Sequence, residues 1–174
     1  HEDAGLTADF VLARKESDYT DGRRPDVVEP GTLFDDLSRR DFTMNAIAKD
    51  DKGNLIDLFN GVQDINDRVI RAVGVAFDRL NEDALRAVRA LRFSVTKGFR
   101  IDKELEFAMN SAAVLDAIVN KISDERIKDE LSKMFRFDTV ASLIALQRFP
   151  ALTAAMFSGS VSLDATMKTK GRGQ

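Results

Sequence analysis

From Gly61 onward the apolar residues recur at a helical spacing, and this pattern limits the fold more than any other feature of the chain. The apolar positions run through Ile65, Val69, Ile70 and Val73, then through 80–95, 102–119 and 123–135, with Gly74, Gly98 and Asn120 as punctuation. A period near 3.6 over windows this long marks helices with one buried face, so the C-terminal two-thirds of the chain is expected to be helical. The first third reads differently. "ADFVLA", Ala8 to Ala13, has the look of a short strand, set here at Asp9–Ala13, and "RKESDYTDGRRPDVVEPG" after it has no period and reads as a long loop. "TLFDDLSRRDFTMNAIA" is expected to form a helix, with Thr32 as its N-cap, Asp35 and Asp36 in its first turn, and Leu33, Leu37, Phe42 and Ala46 along one side. A turn at Lys52-Gly53 then leads into a strand over Asn54–Leu58. The expected class is therefore α+β.

Composition excludes several kinds of chemistry. With no cysteine there is neither a disulfide framework nor a thiolate metal site, and the single histidine stands at position 1. A net charge of -3 argues against indiscriminate coating of nucleic acid, so contacts to phosphate must come from local arginine clusters. No apolar run approaches the length of a membrane span, and a cytoplasmic protein is the expectation. Because residue 1 is His, the chain is expected to begin inside a longer protein; the tail "TMKTKGRGQ", which lacks apolar period, is expected to be disordered or truncated.

The stretch "LNEDALRAVRALRF", Leu80 to Phe93, carries Arg86, Arg89 and Arg92 at every third position, with Glu82 and Asp83 just upstream. On one continuous helix Asp83 and Arg86 would project from the same face, and Arg89 would extend it. A carboxylate only accepts hydrogen bonds and a guanidinium only donates them. Together they match an amino group beside an unprotonated ring nitrogen, the Watson–Crick edge of cytosine and adenine, and oppose the carbonyl beside N–H of uracil and guanine. Spacing alone favours a plainer description, an ordinary salt-bridged helix surface worth a few tenths of a kcal/mol per pair.

Similar alternatives stand elsewhere. In "DLSRRDFTMNA", Asp41 and Asn45 would share a helical face beside Arg40, a mix suited to ribose hydroxyls and phosphate, or simply a solvated charge cluster. Asp9 would aim a carboxylate at a metal from its strand, or be a plain edge or turn residue. The basic loop with Arg14, Lys15, Arg23 and Arg24 would follow an RNA backbone, or only be solvated. "SDERIKDELSKMF", Ser123 to Phe135, reads as a structural helix capped by Ser123, packed through Ile127, Leu131 and Met134, and laced by Arg126 with Glu130.

In this order and at these spacings, the stretches from about Asp9 to Phe135 resemble the class II tRNA nucleotidyltransferases (CCA-adding enzymes) and the related bacterial poly(A) polymerases. "RRDFTMNA" is similar to the family's RRDFTxNA motif, which implies that Arg40, Asp41 and Asn45 hold the ribose and phosphates of an incoming nucleotide. "EDALRAVRALRF" resembles the EDxxR motif, which implies that Asp83 and Arg86 serve as an amino-acid template for CTP and ATP, with Arg89 as a further nucleotide contact. "ARKESDYTDGRRP" looks like the family's flexible loop, "DERIKDELSKMF" like the helix that braces its neck domain, and "ADFVLAR" like the strand whose acid carries over to Asp9 as a catalytic metal ligand.

What the resemblance implies is a partial polymerase-β-like nucleotidyltransferase head over 1–75, an all-α neck over 76–140 and the start of a body with a tail over 141–174. The implied reaction is template-independent addition of C and/or A to the 3′ end of tRNA, from CTP and ATP with Mg2+. The family's glycine-rich loop and Asp-x-Asp pair would precede Asp9, and no Asp-x-Asp occurs in the 174 residues. The expectation is therefore a fragment, or half of a split protein, inactive without that segment. Poly(A) addition and a non-catalytic nucleotide- or RNA-binding module are the alternatives.

Overall fold

In the computed structural model, which describes residues 30–159, helix α1 (Pro30–Ser38) is the first described element. Proline suits a first helical turn, where its missing N–H costs no hydrogen bond. The strand expected at Asp9–Ala13, the basic loop and the tail lie outside the described residues. The rest divides into two compact units: the described part up to Asp67 with Ala72–Gly74, and Arg68–Arg71 with Val75 onward.

In the first unit the long helix expected from Thr32 to Ala48 is not formed. The helix starts before Thr32, so that residue is not its N-cap, and it ends at Ser38 in a turn where the Arg40 N–H reaches the Leu37 carbonyl at 3.1 Å. Phe42 is extended and bridges Ala72 in antiparallel fashion, while Thr43–Asn45 makes one 3-10 turn. The cause is local. Asp41 turns its own carboxylate onto the Phe42 N–H at 2.7 Å, a side-chain bond that competes with helical continuation. Strand β1 (Ala48–Lys49) then pairs antiparallel with β2 (Leu55–Ile56), so the strand expected at Asn54–Leu58 is present in a shorter form. Leu37, Ala46, Ala48 and Val73 form the core of this unit, with Leu33, Ile56 and Phe59 packed against it. Each large side chain so buried contributes on the order of 2 kcal/mol.

The hairpin turn is built by Asp50, whose carboxylate accepts from the backbone N–H of Lys52 at 2.9 Å and of Asn54 at 2.8 Å. Gly53 takes the left-handed backbone (φ 86°) that the turn needs. Helix α2 (Gly61–Asp67) follows, its first N–H groups held by Asp57 at 2.6 and 3.0 Å.

The second unit starts on a two-residue strand, β3 (Val69–Ile70), paired in parallel with β4 (Arg100–Ile101). Parallel neighbours require a crossover connection, and here helices α3 (Ala76–Glu82) and α4 (Leu85–Thr96) supply it. Helix α4 ends with the Lys97 N–H on the Phe93 carbonyl and Gly98 at φ 69°, the usual glycine exit. Asp102 joins the ladder to the next helix, pairing with Arg71 at 2.9 Å and capping α5 (Lys103–Met109) through the Glu104 N–H. Helices α6 (Ala112–Asn120), α7 (Asp124–Phe137), α8 (Thr139–Arg148) and α9 (Pro150–Met156) complete the unit around Leu80, Leu91, Leu105, Met109, Ile118 and Leu131. The helical reading of this region holds except for β3 and β4. Those strands are too short to register as a period of two. Among the described residues no single helix is long and apolar enough to cross a membrane.

Two outcomes follow from this packing. A Cβ at Gly61 would overlap the Thr43 carbonyl oxygen and come within 2.8 Å of Ile47, so Gly61→Ala is expected to cost about 1–3 kcal/mol, read as a lower urea midpoint at unchanged slope. The Asn54 N–H, foremost, holds the Asp50 carboxyl below its ordinary value of 3.8. A depressed acid stabilises the fold above the unfolded value and loses that contribution as pH falls through the folded one. The Gly53 and Asn54 amide resonances are therefore expected to titrate below pH 3.8, and Asp50→Asn should abolish that transition.

Candidate functional site

In the first unit the residues expected to hold sugar and phosphate are brought together, although not by a helix. Asp41 is buried, and its Oδ1 accepts both the Phe42 N–H and the Asn45 side-chain amide at 3.1 Å. Its carbonyl accepts the Val73 N–H at 3.2 Å, so the residue is fixed from both ends. Arg40 is held by Asp36 at 3.2 Å. Beneath them the Thr43 hydroxyl donates to the Asp64 carboxylate at 2.6 Å, both groups being buried, which ties the 3-10 turn to α2. Thr43, Asp64 and Asp57 are supports that the sequence reading missed. An acid four residues ahead of a helix-opening glycine is the signal that would have found Asp57.

In the second unit Asp83 and Arg86 do not share a helical face. Helix α3 ends at Glu82, and Asp83 is extended (φ -156°, ψ 101°) in the break before α4. The break is an N-terminal cap: Asp83 Oδ1 accepts the Leu85 N–H at 3.2 Å and the Asp83 carbonyl accepts the Arg86 N–H at 3.0 Å. The two side chains take different partners. Asp83 pairs with Arg126 of α7, Oδ2 to Nη2 at 2.8 Å and Oδ1 to Nη1 at 3.4 Å. Arg86 Nη1 donates to Glu82 at 2.9 Å and to the Arg79 carbonyl at 3.1 Å. An acceptor and a donor thus stand at the opening turn of α4, each held by a neighbour.

Arg89 and Arg92 turn toward α7. Glu130, only 5% exposed at its side chain, accepts from Arg92 Nε and lies 3.8 Å from Arg89. Both guanidinium groups also lie over the Phe93 ring, at 5.4 and 4.5 Å from its centre. The expected lacing of Arg126 with Glu130 is therefore replaced by cross-helix pairs: Arg126 goes to Asp83 and Glu130 goes to Arg92 and Arg89. The physical reason is burial. An acid enclosed against α4 gains more from its arginines than from an exposed neighbour on its own helix. Ser123 does cap α7, accepting the Arg126 N–H at 3.2 Å, as the sequence reading has it.

Asp9, the one acid expected to bind a metal, lies outside the described residues. Among the described residues no cluster of three or more His, Asp or Glu could hold a metal ion. The described part therefore does not by itself supply a magnesium donor set.

A small α+β segment leading into a helical unit, with an Arg-Asp-Asn turn in one and an Asp/Arg helix start in the other, defines a nucleotidyltransferase head segment and its neck. A family model for the poly(A) polymerase head domain matches residues 3–71. The CCA-adding enzyme of Lactococcus lactis subsp. cremoris (strain MG1363) is 50% identical over 127 residues, 72% of this chain and 31% of that protein. The crystal structure of the Bacillus stearothermophilus CCA-adding enzyme in complex with CTP matches with a TM-score of 0.62 at 41% identity, covering 67% of this chain and 29% of that one. The Thermotoga maritima CCA-adding enzyme complexed with tRNA-CCA matches with a TM-score of 0.65 at 29% identity, over 77% of this chain and 33% of that one. The chain belongs to the family of CCA-adding enzymes and poly(A) polymerases. It spans about a third of the length of the curated relatives it matches.

The buried pair gives a direct test of this packing. Removing Glu130 leaves Arg92, 15% exposed at its side chain, without its carboxylate, and Glu130→Ala is expected to destabilise the fold by about 3–5 kcal/mol in chemical denaturation. Lys133→Ala on the same helix, which removes only an exposed pair with Asp129, should cost under about 1 kcal/mol.

Proposed function

We propose that this chain is the nucleotide-selecting part of a tRNA nucleotidyltransferase that adds C and A to the 3′ end of tRNA from CTP and ATP. The observation that carries the reading is the Asp83/Arg86 pair at the start of α4: an acceptor and a donor, each fixed by a partner, in a chain whose relatives bear the CCA-adding name. Asp83 would accept the exocyclic amino group of cytosine or adenine. Arg86 would donate to the neighbouring ring nitrogen, C=O beside N–H being refused because acceptor would then meet acceptor and donor meet donor. Arg40 is assigned to phosphate, Asp41 and Asn45 to the ribose, and Arg89 to a further nucleotide contact. When bound, magnesium would activate the attacking RNA hydroxyl and neutralise the phosphates; Asp9 is the candidate ligand from this chain.

The division into a head over 1–75, a neck over 76–140 and the start of a body over 141–174, and a cytoplasmic location, belong to the same proposal. Relatives that carry the CCA-adding name favour this reading over poly(A) addition. The experiment is incorporation of labelled nucleotides into tRNA lacking its 3′ end, by the protein that carries this chain. Labelling from CTP and ATP but not UTP or GTP is expected. Asp83→Ala or Arg86→Ala should lower the preference for CTP over UTP by about 10-fold or more, in line with roughly 1–3 kcal/mol per well-placed hydrogen-bonded base edge. Undiminished preference in both variants would reduce the pair to a helix cap, and binding without incorporation would favour a non-catalytic nucleotide-binding module.

A further inference from the structure

We infer that Arg126 is a specificity-determining positioning residue: by gripping both oxygens of Asp83 it leaves that carboxylate a single acceptor position, fixed in direction, with which to read a base. The inference rests on the nucleotide-selecting reading above and assigns to α7 a part in base choice beyond bracing.

An ionised carboxylate has about four acceptor positions, two on each oxygen. Asp83 Oδ1 takes the Leu85 N–H at 3.2 Å and Arg126 Nη1 at 3.4 Å, while Oδ2 takes Arg126 Nη2 at 2.8 Å. Among the described residues these contacts leave one position, on Oδ2. That number matters for recognition. An amino group on cytosine or adenine needs one acceptor in its ring plane, and a carboxylate free to rotate about its side-chain bonds would present either oxygen over a wide arc. Such an acid would also bind N–H groups at other heights, among them the ring N–H of uracil and guanine. The forked guanidinium defines the plane of the carboxylate by two parallel contacts, which a single ammonium cannot do.

The location of the pair supports this role over a structural one. Side-chain exposure is 50% for Arg126 and 31% for Asp83, so the pair adds little to stability. The buried Glu130 one turn further along α7 already holds that helix to α4. Arg126 is anchored in turn by its place in the first turn of α7, where its N–H is bonded to Ser123. What an exposed, two-point pair with a capping acid supplies is direction.

The test compares wild type with Arg126→Lys and Arg126→Ala in the protein that carries this chain, using CTP, ATP, UTP and GTP singly. Arg126→Ala is expected to lower the CTP-over-UTP and ATP-over-GTP ratios by about 10-fold. Arg126→Lys, which keeps the charge and loses the fork, should recover less than half of the loss on a logarithmic scale. A merely structural residue would weaken all four nucleotides alike and leave both ratios unchanged. A second arm needs no nucleotide. Hydrogen exchange at the Leu85 amide, whose acceptor is the gripped carboxylate, should accelerate several-fold in Arg126→Ala and stay at the wild-type rate in Lys133→Ala.

The outcomes separate. If wild type shows no preference among the four nucleotides, the nucleotide-selecting reading fails, and the exchange arm alone decides whether Arg126 fixes Asp83. If wild type discriminates and both Arg126 variants do so equally well, the inference is overturned. Unchanged Leu85 exchange in Arg126→Ala overturns it as well, and full recovery by Arg126→Lys would show that charge, not the fork, is what matters.

Discussion

A buried carboxylate sets the arrangement of the helical unit. Enclosing Glu130 removes an ionised group from water at a cost of several kcal/mol, and only charge-assisted hydrogen bonds of good geometry offset that. Helix α7 must therefore lie where Arg92 and Arg89 of α4 meet the acid. Once Glu130 is seated, the rest of α7 has no freedom of register. Its apolar residues Ile127, Leu131, Met134 and Phe135 fall on the buried side, and Arg126, one turn back, arrives at Asp83. The pairs run in the same order along both segments, 83 with 126 and 92 with 130. Arg86, Arg89 and Arg92, three apart in α4, have partners on more than one side: Glu82 for Arg86, Glu130 for Arg92 and Arg89.

The first unit uses a different device for a similar end. Asp41 and Asn45 meet because an extended Phe42 and one 3-10 turn bring them together, not because a helix stacks them. A helix would have given the same spacing with solvent-exposed side chains. The turn instead buries Asp41 and directs its backbone carbonyl to Val73 and its side chain to the local N–H groups. The buried bond between Thr43 and Asp64 holds the turn from below, and Gly61 is needed because nothing larger fits between the Thr43 carbonyl and Ile47. Sequence spacing thus predicted the right neighbours through the wrong local structure, since i and i+4 meet in both conformations.

How much was legible varied with the length scale of the signal. Long amphipathic segments such as α4 and α7, the Ser123 cap, the Lys52-Gly53 turn and the glycine after α4 could be read because each has a residue pattern with one dominant cause. The two-residue strands β3 and β4 could not, since Val69-Ile70 fits a helical stripe as well as a ladder, and only its parallel partner at Arg100-Ile101 decides. The break at Asp83 was hidden for another reason. No glycine or proline marks it; an aspartate that caps the next helix ends the previous one, and the same letters read as one continuous helix. Pairing across helices was beyond reach for the same kind of cause: Arg126 and Glu130 four apart satisfy the local rule for a salt bridge, and burial, which the local rule ignores, sends Glu130 to α4 and leaves Arg126 to Asp83 in the break before it.

The two cross-helix pairs divide their work by exposure. For a buried pair the penalty of separation is large, so Glu130 with Arg92 acts as a fastener whose geometry is set by what the interior allows. For the half-exposed pair of Asp83 with Arg126, water competes for every hydrogen bond and little free energy is gained by closing it. Direction, however, does not depend on the depth of the well alone. A carboxylate bonded at one end to a helix N–H and at both oxygens to a fork has few orientations left, even when each contact is weak, because the three must be satisfied together. On the proposed reading Asp83 is better held this way than buried, since one face stays open to exchange water for a base. The fastener makes the pointer possible: with Glu130 fixing α7, Arg126 is brought to Asp83 at little further entropic cost.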